Sequence, residues 1–163
     1  MANLFVTRIN VPDTAIDEIV KLLNISLANG MSAQAMVKFA HWNVKGPTFW
    51  QTHKLFDEVF EKVLELTDDI GERIGSLGGI AEGLPNEISA NSTLSDYSAK
   101  ETYSSGLEHI EAVANVVAEL GNDFRANIPI CVKLGDQVTA DCFSQWAGEL
   151  DHKLYFLEAH LRP

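Results

Sequence analysis

Apolar residues recur at intervals of three and four along most of the chain, which is the period of one face of an α-helix. After Pro12, Asp13 or Thr14 can cap a first helix whose apolar face begins with Ile16, Ile19, Val20, Leu22 and Leu23. That face continues through Met36, Val37 and Ala40, with Gly30 a tolerated weak point inside it. Gly46-Pro47 ends the pattern, and Thr48 can cap a second helix over residues 49–77. Its apolar positions are Phe49, Phe56, Phe60, Val63, Leu66, Ile70, Ile74 and Leu77, and Gly78-Gly79 stops it. Residues 80–101 carry Gly, Pro, Asn and Ser and predict a long connection, with a short helical turn at 93–97. A third helix fits residues 104–126 through Leu107, Ile110, Val113, Val117 and Leu120, broken by Pro129. A fourth fits residues 136–161 through Val138, Phe143, Trp146, Leu150, Leu154 and Leu157.

No repeat, low-complexity stretch or strand-like alternation interrupts this reading. It predicts an all-α protein, a ferritin-like four-helix bundle with a short helix in the long connection between helices two and three. A length of 163 residues suits one domain, 1–163, and the 46% hydrophobic and 21% charged fractions are those of a globular chain. A core of this size holds without structural metal or disulfides, so a bound metal would serve chemistry rather than folding.

The net charge of −11 repels a phosphate backbone unless a basic patch or tail is supplied. Cys131 and Cys142 form neither a CxxC nor a zinc-finger pattern, and suit buried or free thiols in a reducing compartment. The N-terminus lacks a basic segment followed by an apolar one, and no apolar run approaches a membrane span. A cytoplasmic protein with no membrane partner is expected.

The second helix has an unusual distribution of ligand-type residues. His53 and Asp57 are four apart, as are Asp68 and Glu72, and all four fall within an arc of about 100° on one helix face. Imidazole and carboxylate together suit a divalent ion of borderline hardness such as Fe²⁺. Asp57 and Glu72, however, lie roughly 22 Å apart along the helix axis, too far for one ion. Two copies of the helix crossing about a two-fold axis between residues 62 and 63 would bring His53 and Asp57 against Glu72 and Asp68 of the mate. A solvated face, with Arg73 or Lys62 pairing some of these charges, fits the spacing at least as well. His41 is a further candidate ligand, although a histidine beside Trp42 is more often packed or capping.

The segment HWNVKGPTFWQTH at residues 41–53, followed by KLFDEVFEKV and TDDIGERIGSLGG, resembles the signature of the Dps family, the mini-ferritins. The likeness extends over the four-helix body to KLGDQVTAD from Lys133 and LYFLEAHL near the end. The resemblance implies a ferroxidase site at a dimer interface within a hollow shell of twelve subunits. His41, His53 and Asp57 of one chain would act with Asp68 and Glu72 of its partner, Asp68 ligating weakly or orienting a ligand. The implied reaction oxidises two Fe²⁺ to Fe³⁺ with hydrogen peroxide, or O₂, and mineralises the product in the shell against oxidative stress. Zinc is a possible occupant of such a site. Trp42 is a candidate electron donor and equally a core or interface aromatic. Glu58, Glu61 and Glu65 are candidates for mineral nucleation or a plain solvated face. Asp136, Asp141 and Asp151 match acidic pore positions, although Asp136 can instead cap the fourth helix.

Members of the family that coat DNA use a mobile lysine-rich tail. Here Arg8 is the one basic residue before the first helix, and the chain ends Leu-Arg-Pro, so no appreciable DNA binding is expected. An intrachain di-iron centre needs two Glu-x-x-His motifs, and the chain offers the spacing once, at Glu149 and His152. A non-catalytic scaffold would have lost ligands, yet all five are present. No Gly-x-Ser-x-Gly supports a hydrolase.

Overall fold

The computed structural model describes residues 5–101 and 104–162, and its regular structure is helical throughout. Four long helices, α1 (Asp13–Asn43), α2 (Phe49–Ser76), α4 (Gly106–Lys133) and α5 (Gln137–Ala159), are joined by one short one, α3 (Pro85–Asn91). The tight turns at residues 44–48 and 134–136 fold α1 onto α2 and α4 onto α5. The two hairpins pack through α1 against α4 and α2 against α5, and the long connection carries α3 across α1. No helix among the described residues is long and apolar enough to cross a membrane. Of the two terminal segments read for basic residues, 1–4 and 163 lie outside the described residues.

Burial follows the predicted stripe closely. Ile16, Ile19, Leu23, Val37, Phe56, Val63, Ile70, Ile74, Ile110, Leu120, Phe143, Leu150 and Leu157 are all buried. Each such side chain contributes about 1.5–3 kcal/mol. Three expected core residues, Phe49, Leu107 and Val138, lie exposed near helix starts instead. Both cysteines are free thiols, Cys131 buried and Cys142 half-buried.

Several local expectations are corrected. The first helix begins at Asp13 with Pro12 at the cap position, so Asp13 lies in the first turn and caps nothing. Thr48 flanks α2 but makes no side-chain cap bond; its hydroxyl accepts from Thr52 Oγ1 (3.4 Å) instead. The short helix lies at Pro85–Asn91, not at 93–97. Pro85 opens it, where a missing N–H costs nothing, and Glu87 accepts from the Leu84 amide (2.9 Å). Residues 93–97 form no helix, and Asn29 anchors their start, its Oδ1 accepting from the Thr93 amide (2.7 Å). Nor does Pro129 end α4, which runs on to Lys133. The proline is exposed while Phe124, Asn127 and Cys131 around it are buried, so packing holds the helix across one lost bond. Gly30 is no mere weak point: a Cβ there would sit 2.6 Å from Thr67 Oγ1, so the glycine lets α1 and α2 approach.

Candidate metal centre

The tight α1–α2 turn juxtaposes the end of one helix with the start of the next, and this places His41 beside His53. Their rings stack at 3.7 Å between centroids. His53 Nδ1 donates to the His41 carbonyl (2.9 Å), an acceptor near the C-terminal end of α1. His41 Nδ1 donates to the His53 carbonyl (3.1 Å) and also lies 3.0 Å from Asp57 Oδ1. A carbonyl accepts only, so both Nδ1 atoms carry a proton, and whenever a ring is neutral its Nε2 holds the free electron pair. That is the tautomer a metal ligand needs, set by backbone partners.

Asp57, one turn beyond His53 on α2, completes the group. One potential ligand atom from each of His41, His53 and Asp57 lies within 4.8 Å of the others, with His41 buried and His53 and Asp57 half-buried. Lys38 Nζ contacts Asp57 Oδ1 at 3.0 Å, and Lys54 Nζ approaches Oδ2 at 3.8 Å. Burial alone would raise the Asp57 pKa, but the Lys38 hydrogen bond and the charges of His41, Lys38 and Lys54 outweigh it and hold the carboxyl below its usual range. The sequence reading missed Lys38. Its signal was its position three residues before His41, on the same side of α1. The Lys38 ammonium also lies 4.6 Å from the Phe60 ring.

Asp68 and Glu72 stand exposed farther along α2 and do not join this group within the chain. They flank an open cleft with Leu27, Met31, Gln34, Leu64 and Thr67. The two cations that could have neutralised Asp68 or Glu72 are engaged with other carboxylates. Arg73 pairs with Asp136 (3.0 Å), and Lys62 reaches Glu65 (2.7 Å) and Glu149 (3.3 Å). Among the described residues, neither Asp68 nor Glu72 has a salt-bridge or side-chain hydrogen-bond partner.

Around the histidines the surface is aromatic. Phe49 lies 5.1 Å from the His53 ring, Trp50 lies 6.4 Å away, and Trp42 and Trp50 are 69% and 63% exposed. Two exposed indoles therefore flank the candidate ligands and leave apolar surface open to solvent.

The remaining candidates are scattered. Glu58, Glu61 and Glu65 are exposed on α2, with Glu58 lying 3.6 Å from Lys153 Nζ. Asp141 is exposed and accepts from Gln137 Nε2 (2.8 Å), and Asp151 pairs with Arg125. Asp136 is only 2% exposed. It caps α5 by accepting from the Thr139 amide (3.0 Å) and binds Arg73, so its carboxylate is spent inside the subunit. His152 is exposed against Phe156, and Glu149 is held by Lys62; they gather no further ligands.

The chain matches a family model described as a ferritin-like domain over residues 20–163. It is 34% identical over 156 residues to the DNA protection during starvation protein of Agrobacterium fabrum, covering 96% of this chain and 95% of that protein. The protein of the same name from Mycolicibacterium smegmatis is 33% identical over 91% of this chain and 80% of its own. Among solved structures, Mycobacterium smegmatis Dps in a tetragonal form superposes with a TM-score of 0.90 at 31% identity, over 98% of this chain and 94% of that one. DpsA14 from Streptomyces coelicolor gives 0.91 at 26% identity, over 99% and 95%. The chain therefore belongs to the ferritin-like superfamily and, within it, to the Dps proteins, which generally bind iron and protect against oxidative stress.

Proposed function

We propose that this protein is a ferroxidase whose di-iron site is shared between two copies of the chain. One observation carries the reading: a preorganised His41–His53–Asp57 half-site, with both Nε2 pairs free, on the same helix as two unpaired exposed carboxylates, Asp68 and Glu72. The shared midpoint of the two pairs makes each the complement of the other under a two-fold axis, and such a dimer has two equivalent sites. The exposed aromatic patch and the cleft beside Asp68 and Glu72 supply apolar surface for that contact.

Iron is the substrate here. Two Fe²⁺ give up one electron each, and hydrogen peroxide accepts both, so no hydroxyl radical is released. O₂ is the alternative oxidant, and zinc competes for the same nitrogen and oxygen donors. Product Fe³⁺ mineralises in a closed shell of about twelve subunits, an assembly argued from family likeness alone. Glu58, Glu61 and Glu65 are its candidate nucleation carboxylates, and Asp141 and Asp151 its candidate pore carboxylates. Asp136 is the weaker pore candidate, because burial and Arg73 withhold it. Trp42, beside His41 and exposed, is the candidate donor to a stray oxidant. The single-domain, cytoplasmic assignment belongs to this reading, supported by two free thiols. The net charge of −11 argues against appreciable DNA binding.

The direct assay loads Fe²⁺ anaerobically and follows Fe³⁺ formation after a peroxide pulse. Fast oxidation by the wild type and loss in Glu72→Ala with unchanged assembly size support the reading. Wild-type oxidation no faster than in buffer would overturn it.

A further inference from the structure

A second group of chemically capable side chains lies behind the metal half-site. Tyr97, in the long connection, and His109, in α4, are both buried, and Tyr97 Oη and His109 Nδ1 are 2.8 Å apart. The phenol is the donor. A neutral phenol is the stronger hydrogen-bond acid and an imidazole nitrogen the stronger acceptor, so the O–H···N direction is the favoured one. Burial raises the Tyr97 pKa well above its ordinary value, which keeps the phenol protonated. Burial also lowers the His109 pKa, with Lys45 acting in the same direction and Glu108 against it, so the imidazole stays neutral and able to accept. The pair is therefore a phenol already hydrogen-bonded to a vacant base. Phe39 packs edge-on to Tyr97 at 5.4 Å and lies 6.5 Å from His109. Phe39 is two residues before His41 on α1, about 3 Å of rise and roughly 200° round the helix, so the pair lies across α1 from the half-site.

We infer that Tyr97 and His109 form a proton-coupled one-electron donor, a buried redox pair that reduces strong oxidants escaping the metal half-site. In the step, an oxidant of the hydroxyl-radical class takes one electron from Tyr97 and becomes hydroxide. The phenolic proton crosses the existing 2.8 Å hydrogen bond to His109 Nδ1. The products are a neutral phenoxyl radical and an imidazolium, so no phenol radical cation has to form in an apolar site. One electron from Fe²⁺, with return of the proton, restores the pair and yields Fe³⁺. The quenching role rests on the iron reading, whereas the redox competence of the pair does not.

The test uses metal-free protein, so its outcome is separable from that of the ferroxidase assay. The chain has three tyrosines, and Tyr103→Phe/Tyr155→Phe leaves Tyr97 alone. Photogenerated ruthenium(III) tris-bipyridine serves as the one-electron oxidant, with freeze-quenching and high-field electron paramagnetic resonance as the readout. The expected result is a tyrosyl radical with the g-shift of a hydrogen-bonded phenoxyl, lost on adding Tyr97→Phe. His109→Gln, which keeps an acceptor but not a base, should lower the radical yield and change the g-shift. Tryptophan radicals without any tyrosyl signal from the single-tyrosine protein would overturn the proposal, as would a signal unchanged by His109→Gln. The first of those outcomes needs no substitution at the buried pair.

Discussion

His41 and His53 hold each other: each ring donates its Nδ1 proton to the other's backbone carbonyl, at 3.1 and 2.9 Å. The contact closes the α1–α2 turn and fixes both tautomers, so folding and ligand readiness share the same two bonds. His53→Ala should therefore have two effects. Peroxide-driven Fe²⁺ oxidation should fall more than about tenfold, because one lost ligand interaction of 1.4 kcal/mol or more is a decade in rate. Thermal stability should fall by about 1 kcal/mol, the worth of a removed hydrogen bond. Stopped-flow absorbance and a thermal melt read the two effects separately.

Lys38 holds Asp57 Oδ1 at 3.0 Å, where a bound cation would also sit. Lys38→Met keeps an apolar stem of similar length and removes the competing charge, together with its ammonium contact to the Phe60 ring. Binding of Co²⁺, measured by titration of its ligand-field spectrum, should tighten by a factor of about 3–5, corresponding to a partly exposed ion pair of about 1 kcal/mol. Weaker binding would mean that Lys38 orients the carboxylate rather than competing for it.

Half-buried Arg73 and buried Asp136 pair to tie α2 to the start of α5. Burial alone would raise the Asp136 pKa, but hydrogen bonds from Thr139 and the Arg73 charge prevail and leave it below the ordinary carboxylate range. A depressed folded-state pKa gives stability that is present above the unfolded value and lost as pH falls through the folded one. Asp136→Asn should thus cost about 1.5–3 kcal/mol at neutral pH, the worth of charge-assisted hydrogen bonds to a half-buried Arg73. The deficit should shrink in acid, below the ordinary carboxylate range, as the wild-type carboxylate itself protonates. Denaturant melts at neutral and acidic pH check this.

Gly30 faces Thr67 so closely that a Cβ would meet Oγ1 at 2.6 Å. Gly30→Ala should cost about 1–3 kcal/mol, an overpacking penalty. Adding Thr67→Ala, which removes that oxygen, should recover most of the loss, and a double-mutant cycle measures the coupling. Additive losses would show that the clash is relieved elsewhere.

The helical period made the four long helices and their buried stripe legible, because Ile19, Leu23, Val63 and Ile70 recur on one face. Local signals misled where a distant residue decides. Thr93 is held out of a helix by Asn29, sixty-four positions away, and Pro129 is carried inside α4 by packing around Phe124 and Cys131. Of the five candidate ligands, His53 and Asp57 were visible as one i, i+4 pair and Asp68 and Glu72 as another. The approach of His41 depends on the turn at residues 44–48, which periodicity does not specify. Lys38 escaped notice because a lysine on a helix face is ordinary until its partner is known, and the Tyr97–His109 bond joins a loop to a helix.

Sharing of the site between chains is the central claim, and complementation tests it most directly. His53→Ala and Glu72→Ala subunits, each inactive alone, are unfolded together, co-assembled and assayed for peroxide-driven Fe²⁺ oxidation. In a mixed two-fold dimer one site takes His53 and Glu72 from the unmutated position of each chain, so random pairing restores about a quarter of the sites. Recovery of about a quarter of wild-type activity is the predicted result. No recovery, with assembly size and hybrid formation verified, would place all the ligands in one chain and contradict the account.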